Sequence, residues 1–140
     1  MASRFVVVVL VVAAVAAATI GAFLLSYHGG TATPARVQDV LIVESITGYN
    51  DSADHGVPQN AWPIIHTTLG TTLDITVMNI DHQSHGFQVA HYYDNTIVAV
   101  PPGQSIHVSF VANQAGTFQI FCEIPCTVHW AMQSGELIVS

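Results

Sequence analysis

Gly116-Thr-Phe-Gln-Ile-Phe-Cys122-Glu-Ile-Pro-Cys126-Thr-Val-His129-Trp-Ala-Met132-Gln-Ser-Gly135-Glu-Leu-Ile-Val139 is the stretch whose pattern decides the fold. A β-rich run enters it, a loop with two thiols, an imidazole and a thioether follows, and a second β-rich run leaves. Upstream, runs of the same kind, rich in Val, Ile, Thr and aromatics, occupy 37–46, 62–67, 71–79, 85–92, 96–100 and 105–111, and the stretch itself adds 116–122 and 135–139. Gly, Pro, Asn and Asp separate them, and no segment after residue 34 sustains a helical apolar period. About eight strands in about 104 residues predict an all-β sandwich or barrel. Leu73-Asp74-Ile75-Thr76-Val77 and Ile106-His107-Val108-Ser109-Phe110 alternate, so each such strand should turn one face to a core and the other to water.

A chain of 140 residues, 51% hydrophobic and 8% charged, is too apolar to be disordered. Two Lys+Arg (Arg4 and Arg36) against nine Asp+Glu leave a net charge of -7, which excludes a nucleic-acid partner because nothing is present to neutralise a row of phosphates. Residues 5–25 form a run of 21 without a charge. As a helix, at about 1.5 Å per residue, such a run matches a bilayer core of about 30 Å. It is longer than the roughly 7–15 apolar residues of a secretory signal, the competing interpretation. The expected organisation is therefore a single transmembrane anchor over 1–28, a linker over 29–36 and a β domain over 37–140. Arg4 ahead of the run places the amino end in the cytoplasm and the β domain on the outer face of the cell membrane.

Soft sulfur donors with imidazole select copper, zinc or iron-sulfur centres, whereas hard cations need oxygen ligands that the Cys122–Met132 loop lacks. Asp81-His-Gln-Ser-His85-Gly-Phe87 offers a second imidazole at the head of another strand. A small-loop disulfide between Cys122 and Cys126 is a competing interpretation in an oxidising compartment. Structural zinc is another, though Met is not among its usual ligands. The conjunction of Cys, Cys, His and Met within eleven residues favours a soft metal over separate structural roles.

These residues resemble the copper-binding subunit II of haem-copper terminal oxidases, the cytochrome c oxidase subunit whose cupredoxin domain holds the binuclear CuA centre. The resemblance covers nearly the whole chain: an anchor before the domain, the His85-Gly-Phe turn, the Pro101-Pro-Gly103 turn, the Gly116-x-Phe118 strand, Cys-x3-Cys, His-x2-Met and a final Gly-x-Leu-x-Val strand. It is similar to the short form with one helix. The resemblance implies a cupredoxin-like Greek-key sandwich or barrel and two copper ions bridged by Cys122 and Cys126. His85 and His129 would each cap one copper, Met132 would be a weak axial ligand, and the backbone carbonyl of Ile124 would complete the second copper. It further implies no bond-making chemistry in this chain. Single electrons would arrive from cytochrome c or a small copper protein and pass to a haem in oxidase subunit I, in the lipid bilayer.

Two departures from the family pattern bear on the site. Cys126-Thr-Val-His129 is one residue shorter than the family spacing, while the count from Cys122 to Gly135 is unaltered, so in strict register Trp130 and Gln133 would hold the ligand places. One residue spans up to about 3.3–3.6 Å, more than a metal–ligand bond, so the loop must take a different path or the centre must differ. Cys126-x2-His129-x2-Met132 also has the spacing of amicyanin-like, one-copper cupredoxins, with His85 as the remaining ligand; this gives the alternative of an anchored blue-copper carrier outside any oxidase. A quinol-using oxidase subunit without copper is a third possibility, and the retained ligand set argues against it. The position between the cysteines that is often Glu is Ile124 here, so no further metal is expected through it. His82 competes with His85, whereas His28, His55, His66, His91 and His107 are expected to be structural or on the surface.

Overall fold

A computed structural model describes residues 35–50 and 61–140, and the expected anchor, most of the linker, His28 and His55 lie outside them. The strands are β1 (Val37–Ser45), β2 (Gly48–Tyr49), β3 (Ile64–Thr67), β4 (Thr72–Asn79), β5 (His85–Gly86), β6 (Gln88–Val89), β7 (Ala99–Val100), β8 (Ser105–Val111), β9 (Gly116–Phe121) and β10 (Gly135–Val139), with a 3-10 helix at His129–Met132. One sheet has the order β2-β1-β4-β8 and the other β3-β10-β9-β6, while β5 pairs with β7. The parallel β1–β4 pair runs from Val37↔Thr72 to Glu44↔Asn79, and β9–β10 is antiparallel with Gly135 opposite Ile120.

The alternation read from the sequence is the physical basis of the sandwich. Leu73, Ile75 and Val77 are all fully buried, and between them Asp74 and Thr76 face outward. With Ile42 and Val108 they form one inner face; Ile65, Val89, Ile120, Leu137 and Val139 form the other, and the two faces share one core. All-β architecture in two packed sheets thus agrees with expectation. The bounds differ in one informative place. The single strand expected over 85–92 is two short pieces, β5 and β6, which pair with β7 and β9 respectively. The chain changes sheets at Phe87, itself fully buried, so a run that looks like one strand serves both layers.

Where β10 begins, the sheet permits no side chain. A Cβ on Gly135 would lie 2.8 Å from the Ile120 Cβ, 3.1 Å from the Ile120 carbonyl oxygen and 3.1 Å from the Pro63 Cδ. Overpacking of this kind costs about 1–3 kcal/mol. Gly135→Ala should lower the urea midpoint accordingly, and an unchanged midpoint would mean that β9 and β10 do not approach as closely as described.

Candidate metal centre

The two ends of the Cys loop are tied before any ligand is considered. Cys122 ends the β9 path, and its N–H donates to the Met132 carbonyl at 2.9 Å. Within the loop, the Ala131 N–H donates to the Val128 carbonyl at 2.9 Å, closing the 3-10 turn. In a 3-10 helix residues i and i+3 eclipse one another, which brings His129 and Met132 onto one face and sends Trp130 elsewhere. Met132 is fully buried, and its Sδ lies 3.9 Å from the Cys126 Sγ; Trp130 is 54% exposed. Of the two residues that strict register with the family pattern would bring to the ligand places, Trp130 lies exposed and Gln133 donates from Nε2 to the Cys122 carbonyl at 2.8 Å.

Cys122, Cys126 and His129 bring one ligand atom each to within 4.8 Å of the others. Both cysteines are free thiols, which answers the disulfide alternative for this structure. Ile124 adds an oxygen: its carbonyl lies 3.2 Å from the Cys122 Sγ and 3.1 Å from the His129 Nδ1. The Gln133 Nε2 approaches the His129 Nε2 at 3.3 Å, so with the amide donating there, the Nδ1–H donates to Ile124. A metal ion would have to displace that proton.

His85 stands outside the tight cluster but adjoins it. The Gly86 N–H donates to the Cys122 Sγ at 3.2 Å, and the His85 ring is completely buried. Its Nε2 donates to the Asp81 Oδ2 at 2.9 Å, which leaves Nδ1 bare, and this buried nitrogen has no hydrogen-bond partner. A buried acceptor without a partner costs about 1–3 kcal/mol, so its retention fits a group that a ligand satisfies. Gly86 cannot be enlarged, because a Cβ there would meet the Ile124 Cγ1 at 2.8 Å. The competitor His82 is turned out, its side chain 86% exposed and its Nδ1 against the Asp81 Oδ1 at 2.9 Å. His66, His91 and His107 are exposed, as expected of surface residues.

Electrostatics favour neutral thiols in the metal-free chain. Burial pushes the Cys122 thiol up to about 12, with its neighbour Cys126 adding to the rise and the Gly86 N–H opposing it. Burial raises Cys126 as well. A metal that binds here must therefore expel protons. Asp81 is the opposite case. Burial alone would raise its carboxyl, but hydrogen bonds from Gln83, His85 and the His82 N–H outweigh that and bring it down to about 2.

Asp81, Glu44 and Gln133 are residues that motif reading did not assign. Asp81 had a signal, a carboxylate four positions before a candidate ligand histidine. Glu44 had only its place on the inward face of an alternating strand, next but one to Ile42. Gln133 had a signal only as a position that strict register would make a ligand; its contacts to the Cys122 carbonyl and the His129 ring depend on how the loop folds back. The donors present (two thiols, a thioether, two imidazoles and a carbonyl) suit a soft or borderline metal.

Comparison with solved structures agrees with this architecture. The chain is similar to a copper nitrite reductase from Nitrosomonas europaea, at 19% identity and a TM-score of 0.58, over 75% of this chain and 42% of that one. It is similar to a chain of a haem-copper terminal oxidase dimer at 17% identity and a TM-score of 0.54, over 94% of this chain and 96% of that one. Auracyanin from the photosynthetic bacterium Roseiflexus castenholzii matches at 16% identity and a TM-score of 0.54, over 76% of this chain and 99% of the other. The chain spans less than half the length of the nitrite reductase chain. At these identities the likeness establishes the fold, which is cupredoxin-like. No family model and no curated protein matches the sequence.

Proposed function

We propose that this chain is the electron-accepting copper subunit of a haem-copper terminal oxidase. The observation that carries the proposal is the convergence of both thiols and His129 within 4.8 Å. A one-copper site needs one cysteine and would leave the other as a spectator, yet Cys122 is 1% exposed and its sulfur already receives the Gly86 N–H. The match to an oxidase chain over nearly the full length of both chains supports the same assignment. Cys122, Cys126, His85, His129, Met132 and the Ile124 carbonyl would together hold two copper ions. Copper held by paired thiolates supplies a one-electron store whose charge is shared, so that little moves when the charge changes.

The chain's own residues define the rest. Asp81 holds the His85 Nε2 proton and so keeps Nδ1 free to coordinate. The tie between Cys122 and Met132 and the strands on either side restrict relaxation of the loop. Trp130, exposed next to His129, offers an apolar contact to an electron donor such as cytochrome c or a small copper protein. The apolar run at 5–25 would anchor the chain in the lipid bilayer with the copper domain on the outer face, beside the haem-bearing subunit I.

A second assignment, a membrane-anchored blue-copper carrier, is favoured by one observation: the Met132 Sδ lies beside the Cys126 Sγ, within the Cys126-x2-His129-x2-Met132 spacing. Copper stoichiometry with the paramagnetic spectrum separates the two. Two coppers per chain with a mixed-valence signal are expected; one copper with a single-nucleus signal selects the carrier, and no uptake removes both. Asp81→Asn should weaken copper binding by about 10–100-fold, the usual effect of losing a carboxylate behind a ligand histidine. Chelator competition measures this, and wild-type affinity in the variant would mean that Asp81 does not orient His85.

A further inference from the structure

Of the two residues between Cys126 and His129, Val128 packs against the core, whereas Thr127 is exposed and is held by no such packing. Gln83 holds it instead. The Thr127 N–H donates to the Gln83 Oε1 at 3.1 Å, and the Gln83 Nε2 donates to the Thr127 hydroxyl at 2.7 Å. An amide that meets the N–H and the hydroxyl of a single residue closes a ring, which sets direction as well as distance.

The other side of Gln83 is tied to the turn that carries His85. Its Nε2 also donates to the Asp81 Oδ2 at 2.9 Å, the same oxygen that receives the His85 Nε2 at 2.9 Å. Its backbone carbonyl accepts from the Asn79 Nδ2 at 2.8 Å, and Asn79, 1% exposed, accepts the Asp81 N–H on Oδ1 at 2.8 Å. The chain of contacts thus runs from a buried residue at the end of β4, through Asp81 and Gln83, to the middle of the Cys126–His129 spacer. His85 and His129 belong to different segments, and this side chain joins them across the site.

We infer that Gln83 is a positioning residue that clasps the Cys126–His129 spacer to the His85 turn, holding the two halves of the metal site at their working separation before a metal arrives. Its consequence for a bound metal rests on the copper assignment above, whereas the clasp itself is a property of the metal-free chain. With the spacer clasped, Cys126 and His129 have less freedom to move apart when the charge on the site changes. Copper should also leave more slowly than from an unclasped loop.

The test uses the full chain in detergent micelles. In metal-free protein, Gln83→Leu, which keeps the size of the side chain and removes its hydrogen bonds, should make the Thr127 amide exchange about tenfold faster, as expected for the loss of one good hydrogen bond. The Leu73 and Ile120 amides should be unaffected, which reports an intact core. Unchanged protection at Thr127 with an intact core overturns the inference. Should Gln83→Leu disturb the core, Gln83→Ala, which removes both hydrogen bonds to Thr127 without adding apolar bulk at this half-buried position, decides the matter. A lower protection factor at residue 127 supports the clasp, and an unchanged one overturns it. In copper-loaded protein, Gln83→Leu should release copper to a chelator about tenfold faster at unchanged stoichiometry, and an unchanged rate overturns the role in holding the site. If the wild-type chain takes up no copper, the functional assignment fails while the exchange result still decides the clasp.

Discussion

Raising the pH from 4.5 to 7 should cost the metal-free protein about 3 kcal/mol of folding stability, and Glu44→Gln should abolish most of that loss. Glu44 is on β1, facing the core, with no exposed surface and no hydrogen-bond partner for either carboxylate oxygen. Burial pushes its carboxyl from 4.5 up to about 8. The folded state therefore keeps a proton that the unfolded chain releases above pH 4.5. The stability is fully present below 4.5, declines as pH rises, and is lost once the pH passes about 8. Asp81 works in the opposite sense but outside this window: its contribution is complete above 3.8 and is lost only as the pH falls toward 2. Urea denaturation at pH 5 and pH 7, for wild type and Glu44→Gln, measures the difference. Equal pH dependence in the two proteins would show that Glu44 does not hold the proton. A glutamine supplies a neutral side chain of the same size, so its own cost should be small at pH 5, where the wild-type carboxyl is also neutral.

Substitution of either cysteine by serine should eliminate the two-copper signal. If Cys122 and Cys126 both bridge, no single thiolate can hold the pair, so Cys122→Ser and Cys126→Ser each reduce copper from two per chain to one or none and remove the mixed-valence spectrum. The one-copper alternative predicts asymmetry, with colour lost in Cys126→Ser and kept in Cys122→Ser. Retention of full copper and its spectrum in Cys122→Ser would therefore sink the bridged assignment. Folding should survive this change, because a serine hydroxyl can still accept the Gly86 N–H that the Cys122 sulfur receives. Loss of copper can then be separated from loss of the domain by following the near-ultraviolet signal of the core.

Much of the architecture was legible in the residue pattern, for a simple reason. Side chains in a strand alternate between faces, so Leu73, Ile75 and Val77 had to share one face whatever they packed against. The soft-donor loop was legible too, because thiols, imidazole and thioether within eleven residues carry their metal preference in their chemistry. Glu44 shows the limit of such inference. Its place in the strand alternation marks position 44 as inward-facing, but its charge argues for the surface, and only the packed sandwich decides which prevails.

By itself, the sequence determined that the domain is built of β-strands, which faces of the long alternating strands are apolar, and that one loop holds soft ligands. Tertiary structure alone decided that Phe87 marks a change of sheet and that a 3-10 turn puts His129 and Met132 on one face in spite of the shortened spacer. It also decided that Asp81 and Gln83 reach from one turn to His85 and Thr127. The physical reason is range. Alternation and ligand chemistry are properties of neighbours along the chain, whereas the loop path and its hydrogen bonds depend on groups as many as 44 positions apart in sequence.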